Sequence, residues 1–102
     1  MATELIFTPE ADEDVVSAYV WYERQRAGLG EEFLSCVEAR VASILRNPDQ
    51  FELLHEGFRR ALVRRFPYGI LFEASDERVT VYAVLHCSRD DRPWRRRLPR
   101  RP

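Results

Sequence analysis

The stretch that decides the fold is FRRALVRRFPYGILFE, Phe58 to Glu73, in which two arginine pairs sit inside a run otherwise fit for a buried strand. Alternate residues of a strand face opposite sides of a sheet. Placing Ala61 and Val63 inward therefore sends Arg60, Leu62 and Arg64 outward. The competing register, with Leu62 and Phe66 inward, has a weaker pattern behind it. So much positive charge on one strand raises the expectation that something outside the fold meets it.

Working outward, Phe58 to Phe66 reads as one strand, Pro67 to Gly69 as a bend or bulge, and Tyr68 to Ala74 as a second strand. The polar turn Ser75 to Arg78 leads to a third strand, Val79 to His86, rich in Val and Tyr. Short polar turns between strands make an antiparallel meander. Strict alternation along the last strand puts Val79, Val81, Ala83 and Leu85 in the core. It turns Tyr82 and His86 to the other face.

Upstream, Leu5 to Phe7 form a short first strand. Thr8 is placed to cap a helix whose first position is Pro9, and Glu10, Asp12, Glu13 and Asp14 suit the positive end of its dipole. Ala11, Val15, Ala18, Tyr19 and Tyr22 recur at spacings of three and four, and Arg26 to Gly30 supplies the stop. A second helix from about Glu31 carries Phe33, Val37, Val41 and Ile44 on one stripe and ends at Asn47-Pro48. The short connection predicts an antiparallel helical hairpin. Tyr19, Trp21, Tyr22 and Phe33 read as core or rim. The fold class is thus α+β, β-α-α-β-β-β, with the hairpin on one face of a mainly antiparallel sheet and no helix left for the other face.

The chain has 102 residues, 45% of them apolar, enough for a single core without staples. Residues 1–97 read as the domain and 98–102 as a basic, mobile tail. No apolar run approaches the ~20 residues that span a bilayer, and the N-terminus lacks a secretory pattern. The expectation is a cytoplasmic protein without a membrane partner. Cys36 and Cys87 have no ligand or redox spacing around them and read as reduced thiols.

The formal net charge of −1 conceals a division. Residues 1–57 carry 12 acids and 4 bases, and residues 58–102 carry 5 acids and 12 bases, all of them arginine. The outward Arg60 and Arg64, with Arg89, Arg92, Arg95, Arg96 and Arg97 after the last strand, predict a basic surface that also holds Tyr82 and Trp94. Such a surface attracts phosphate or an acidic protein segment. Too few aromatics are interleaved for nucleic-acid stacking to be favoured.

No phosphate loop, H-E-x-x-H, metal set or G-x-S-x-G elbow is present, so no cofactor or metal is expected. A metal-free ribonuclease needs a general base, a general acid and cations on the phosphate. His86 or Tyr82, with arginines among Arg60, Arg64 and Arg89, is the set the sequence offers for that chemistry.

Three segments together, WYERQRAGLGEEF (21–33), RRALVRRFPYGILFE (59–73) and VYAVLHCSRDDRPWRRR (81–97), resemble the RelE/ParE family of bacterial type II toxins over nearly the whole chain. The resemblance implies a toxin bound and neutralised by the C-terminal segment of a cognate antitoxin, with DNA contacted only through that antitoxin. ParE-like members poison DNA gyrase; RelE-like members cut messenger RNA on the ribosome. Ribonuclease members carry an Arg where this chain has Gly69, and a Tyr or His near the C-terminus, where it has only His86 and Trp94. Arg60, Arg64 and Arg89 occupy positions that match the family's phosphate-binding cations. The departure at Gly69 tips the expectation toward a ParE-like toxin that acts by binding, with the messenger RNA endonuclease and an antitoxin-binding but non-toxic member as alternatives. The antitoxin- or target-binding residues are expected to be Arg60, Arg64, Tyr82, Arg89, Arg92, Trp94, Arg95, Arg96 and Arg97.

Overall fold

The computed structural model describes residues 4–87 and 96–99. Strand β1 (Glu4–Phe7) leads into helices α1 (Pro9–Gln25) and α2 (Leu29–Arg46). A 3-10 turn at Pro48–Gln50 precedes strands β2 (Glu52–His55), β3 (Phe58–Leu62), β4 (Tyr68–Ala74) and β5 (Arg78–His86). The sheet order is β1-β5-β4-β3-β2, antiparallel except where β1 pairs in parallel with β5.

Local chemistry explains the hairpin. Thr8 Oγ1 accepts the Ala11 N–H at 3.1 Å, with Pro9 at the first helical position. At the junction Gly28 has φ +90°, a conformation that suits glycine. The Glu23 carboxylate accepts the N–H groups of Gly28 and Gly30, both at 2.9 Å, and so satisfies the orphan donors that open α2. A Cβ on Gly30 would lie 2.9 Å from the Tyr19 carbonyl oxygen. The two helices close on each other there because residue 30 has no side chain.

Phe33, Val37, Val41 and Ile44 of α2, with Ala11 and Ala18 of α1, form the core against Ala61, Val63, Ile70, Phe72, Val79, Val81 and Val84. Tyr22 and Phe33 join that core as the aromatic spacing suggests, whereas Trp21 is 57% exposed. Ala61 and Val63 are inward, Leu62 and Arg64 are exposed, and the α+β architecture is the one expected.

Three features differ from the sequence reading. There is one strand more: β2 pairs with β3 through a two-residue turn in which Glu56 (φ 48°) and Gly57 (φ 89°) both have positive φ. Such a turn matches the twist of a tight hairpin. Strand β3 ends at Leu62 instead of Phe66, because Arg65 takes φ 72° and the chain turns there. Last, the β4–β5 register slips between Leu71 and Phe72: Leu71 pairs with Ala83 but Phe72 with Val81, leaving Tyr82 as the extra residue of a bulge.

The bulge reverses the parity of the second half of β5. Val79 and Val81 face the helices as expected, but Val84 joins that core in place of Ala83 and Leu85. Ala83 and Leu85 turn to the opposite face, and His86 goes to the helix side, its ring 5.2 Å from that of Tyr68.

Candidate partner-binding surface

The sheet face away from the helices was expected to be open. It carries a small second core of Phe58, Leu71 and Ala83, with Leu54, Tyr82 and Leu85 at its margin, and Leu98 is buried on it. Leu98, which the sequence places in a mobile tail, is only 8% exposed. The preceding residue fastens the segment: Arg97 Nη1 and Nη2 donate to Asp14 Oδ1 and Oδ2 at 3.1 and 2.9 Å. Asp14 Oδ2 also accepts the Val84 N–H at 2.9 Å, beside the bulge, and Arg97 reaches the Tyr82 carbonyl at 3.4 Å. One carboxylate on α1 thus ties together the helix, the bulged strand and the C-terminal segment.

Arg60 lies on this same face. Its stem crosses β4 over Gly69, where an added Cβ would come within 3.1 Å of Arg60 Cδ, so the glycine is the slot that lets the side chain lie flat. Its guanidinium donates from Nε and Nη2 to Glu52 Oε1 at 3.1 and 2.8 Å. Tyr82 packs on Phe58, ring centroids 5.6 Å apart, and its hydroxyl reaches Glu73 at 3.4 Å. Cys87 follows β5 in the exposed turn; burial of its sulfur pushes the thiol pKa up, against the opposing charge of Arg60.

The sequence-predicted residues are therefore not gathered into one site. Arg60 and Tyr82 share the second face, Arg64 and Arg96 are exposed, and Arg97 is engaged within the fold. His86, expected beside Arg60, is on the opposite side of the sheet because the bulge at Tyr82 turned it there. Arg89, Arg92, Trp94 and Arg95 lie outside the described residues.

Among the described residues, five arginines of the basic half meet acids of the chain's own N-terminal half. Arg60 pairs with Glu52, Arg65 with Glu32 at 2.8 Å, Arg78 with Glu4 at 2.8 Å, Arg59 with Asp49 at 3.7 Å and Arg97 with Asp14. Glu32 accepts from both Arg65 and Arg26, which hold its pKa below the ordinary carboxylate value, and Arg65 is correspondingly raised. The pairs open to solvent contribute little stability, because water and salt screen them, whereas the Arg97–Asp14 pair is partly shielded. Their effect is to neutralise locally part of the charge that the linear sequence advertises. Asp14, Glu52 and Glu32 were not singled out for this role, and the acidic excess of residues 1–57 was the signal that pointed to them.

Among the described residues no three His, Cys, Asp or Glu side chains converge as a metal site, and no helix is long and apolar enough to cross a membrane.

The comparisons with known proteins agree with this architecture. The family described as ParE toxin of type II toxin-antitoxin system, parDE, matches residues 5–91. Among solved structures, a chain of the chromosomal ParDE TA system from P. aeruginosa superposes with a TM-score of 0.72 at 15% identity. The match covers 82% of this chain and 95% of that one, a similarity of fold. A search of curated proteins gives no match.

Proposed function

Because the chain belongs to the ParE toxin family of type II toxin-antitoxin systems, we propose that it arrests growth by binding an essential cytoplasmic target, DNA gyrase, and that a cognate antitoxin neutralises it. The observation that carries the binding reading is the separation of His86 from Arg60. A general acid or base and the cation for the developing phosphate charge must converge within hydrogen-bond reach of one substrate. Here the imidazole packs against Tyr68 on the helix side, whereas the Arg60 stem lies against Gly69 on the other face with its guanidinium on Glu52. Gly69 supports the same reading, since an Arg there would have to displace the Arg60 stem.

The antitoxin segment is an acidic or amphipathic one. Arg64 and Arg96 are exposed to receive it, Arg60 can exchange Glu52 for a competing carboxylate, and Tyr82 offers an aromatic edge on the same face of the sheet as Arg60. Arg89, Arg92, Trp94 and Arg95 belong to the same proposed surface by their sequence position, whereas Arg97 is assigned to holding the C-terminal segment.

The test sets two reactions side by side with the purified chain: supercoiling by gyrase, and a reconstituted translation reaction with full-length messenger RNA. Inhibited supercoiling with intact message is expected. Cleaved message with normal supercoiling would overturn the proposal in favour of a ribosome-dependent endonuclease.

A further inference from the structure

Helix α1 departs from amphipathic design on its solvent side. Ala11, Ala18 and Tyr22 face the core, and the stripe opposite, at spacings of three and four, is Glu13, Val16, Ser17, Val20, Trp21 and Arg24. All six are exposed; Val16, Val20 and Trp21 are 61%, 40% and 57% exposed. Three large apolar side chains in two adjoining turns form a contiguous patch, which isolated surface residues do not.

The charges say what fits the patch. An acid stands at its N-terminal end and a base at its C-terminal end, with the apolar residues and one small residue between. A second copy of α1 laid antiparallel across it, with the two-fold axis between Ala18 and Tyr19, places Glu13 opposite Arg24, Val16 opposite Trp21 and Ser17 opposite Val20. Symmetry then repeats each contact, as an isologous interface requires. A parallel partner would set Glu13 against Glu13 and Arg24 against Arg24. Small Ser17 beside the axis permits close approach, and a shallow crossing near 20° keeps the charged ends in reach.

From this self-complementarity we infer that the α1 stripe is a homotypic interface through which two copies of the chain associate antiparallel and reversibly. The inference does not depend on the target proposed above. One helix face buries less than a standard interface, so the dimer is a weak one, with dissociation in the micromolar range.

Sedimentation equilibrium of the purified chain tests it. The wild type is expected to shift from one to two copies as concentration rises through tens of micromolar, on the order of that weak range, and Val20→Arg is expected to weaken association at least ~10-fold. Glu13→Arg and Arg24→Glu should each weaken it about 5- to 10-fold, because every single reversal creates two like-charge contacts per dimer. The double reversal Glu13→Arg with Arg24→Glu should restore association. All three positions are exposed, so circular dichroism should remain that of the wild type, and the charge-swap series stands even if Val20→Arg fails to fold. A wild type monomeric at every concentration, or a double reversal no better than the singles, overturns the inference. So does a monomer whose Val20→Arg variant loses its antitoxin, since the stripe would then be the antitoxin's seat.

Discussion

Asp14→Ala should be among the most damaging single substitutions of a charged residue in this molecule. The carboxylate is 17% exposed and the Arg97 guanidinium 25% exposed, so the pair is partly shielded from solvent. Removing it takes away both hydrogen bonds from Arg97 and leaves the Val84 N–H, next to the bulge, without its 2.9 Å acceptor. A buried donor left unsatisfied costs ~1–3 kcal/mol, and hydrogen bonds to charged groups contribute ~1.5–3 kcal/mol each. Water reaching the freed guanidinium recovers part of that, which brings the expected loss to about 2–4 kcal/mol. In a domain of this size that corresponds to a fall in Tm of roughly 8–32 °C, at about 4–8 °C per kcal/mol. Arg97→Ala should cost less, about 1–2 kcal/mol, because Asp14 keeps its bond to Val84. The assay is thermal unfolding by circular dichroism of both single variants and the double, with trypsin cleavage at Arg96 and Arg97 as a second readout. Cleavage there should accelerate in both singles as the anchor of Leu98 is lost. An Asp14→Ala variant melting within about 2 °C of the wild type, or a coupling energy near zero between the two positions, would refute the argument that this carboxylate ties the segment down.

Gly30→Ala should destabilise by about 1–3 kcal/mol by equilibrium denaturation, since the new Cβ has only 2.9 Å to the Tyr19 backbone oxygen. A neutral result would mean the helices separate freely at that point. His86→Ala should leave growth arrest intact, because the imidazole packs on the helix side apart from Arg60; loss of arrest in a normally folded variant would return it to a catalytic role. Glu32 has a folded-state pKa below its ordinary 4.5, so its contribution to stability is fully present above that value and is lost as pH falls through the lower folded one. Urea titrations across that window should show a smaller acid-side loss for Glu32→Gln than for the wild type, and identical slopes would contradict the Arg65–Glu32–Arg26 arrangement.

Much of the fold was legible because its signals are local. Thr8-Pro9 opens α1 and Asn47-Pro48 closes α2, each through bonds to residues three or four away. The alternation of Arg60, Ala61, Leu62 and Val63 is a property of one strand and needs no partner to be read. Strand β2 was missed because Leu53 and Leu54 form too short an apolar pair to stand out. Its signal was Glu56-Gly57, a two-residue loop ending in glycine. The candidate site was less legible. Arg60 and Tyr82 were placed on the side of the sheet where they lie and Arg64 was read as exposed, but His86 was placed on the wrong side.

By itself, then, the sequence determined the helical hairpin, the meander and the side of the sheet that takes the core, since periodicity and caps act within a few residues. Only the tertiary structure decided where the later residues of β5 point, because a bulge depends on which β4 residue stands across from it. One extra residue in the β5 register, Tyr82, moves Val84 and His86 to the other face. It likewise decided the fate of the charge. Glu4, Asp14, Glu32, Asp49 and Glu52 come from the acidic half, and they meet Arg78, Arg97, Arg65, Arg59 and Arg60 of the basic half only once the chain is folded. Coulomb attraction follows distance in space, and most of these partners are far apart in sequence.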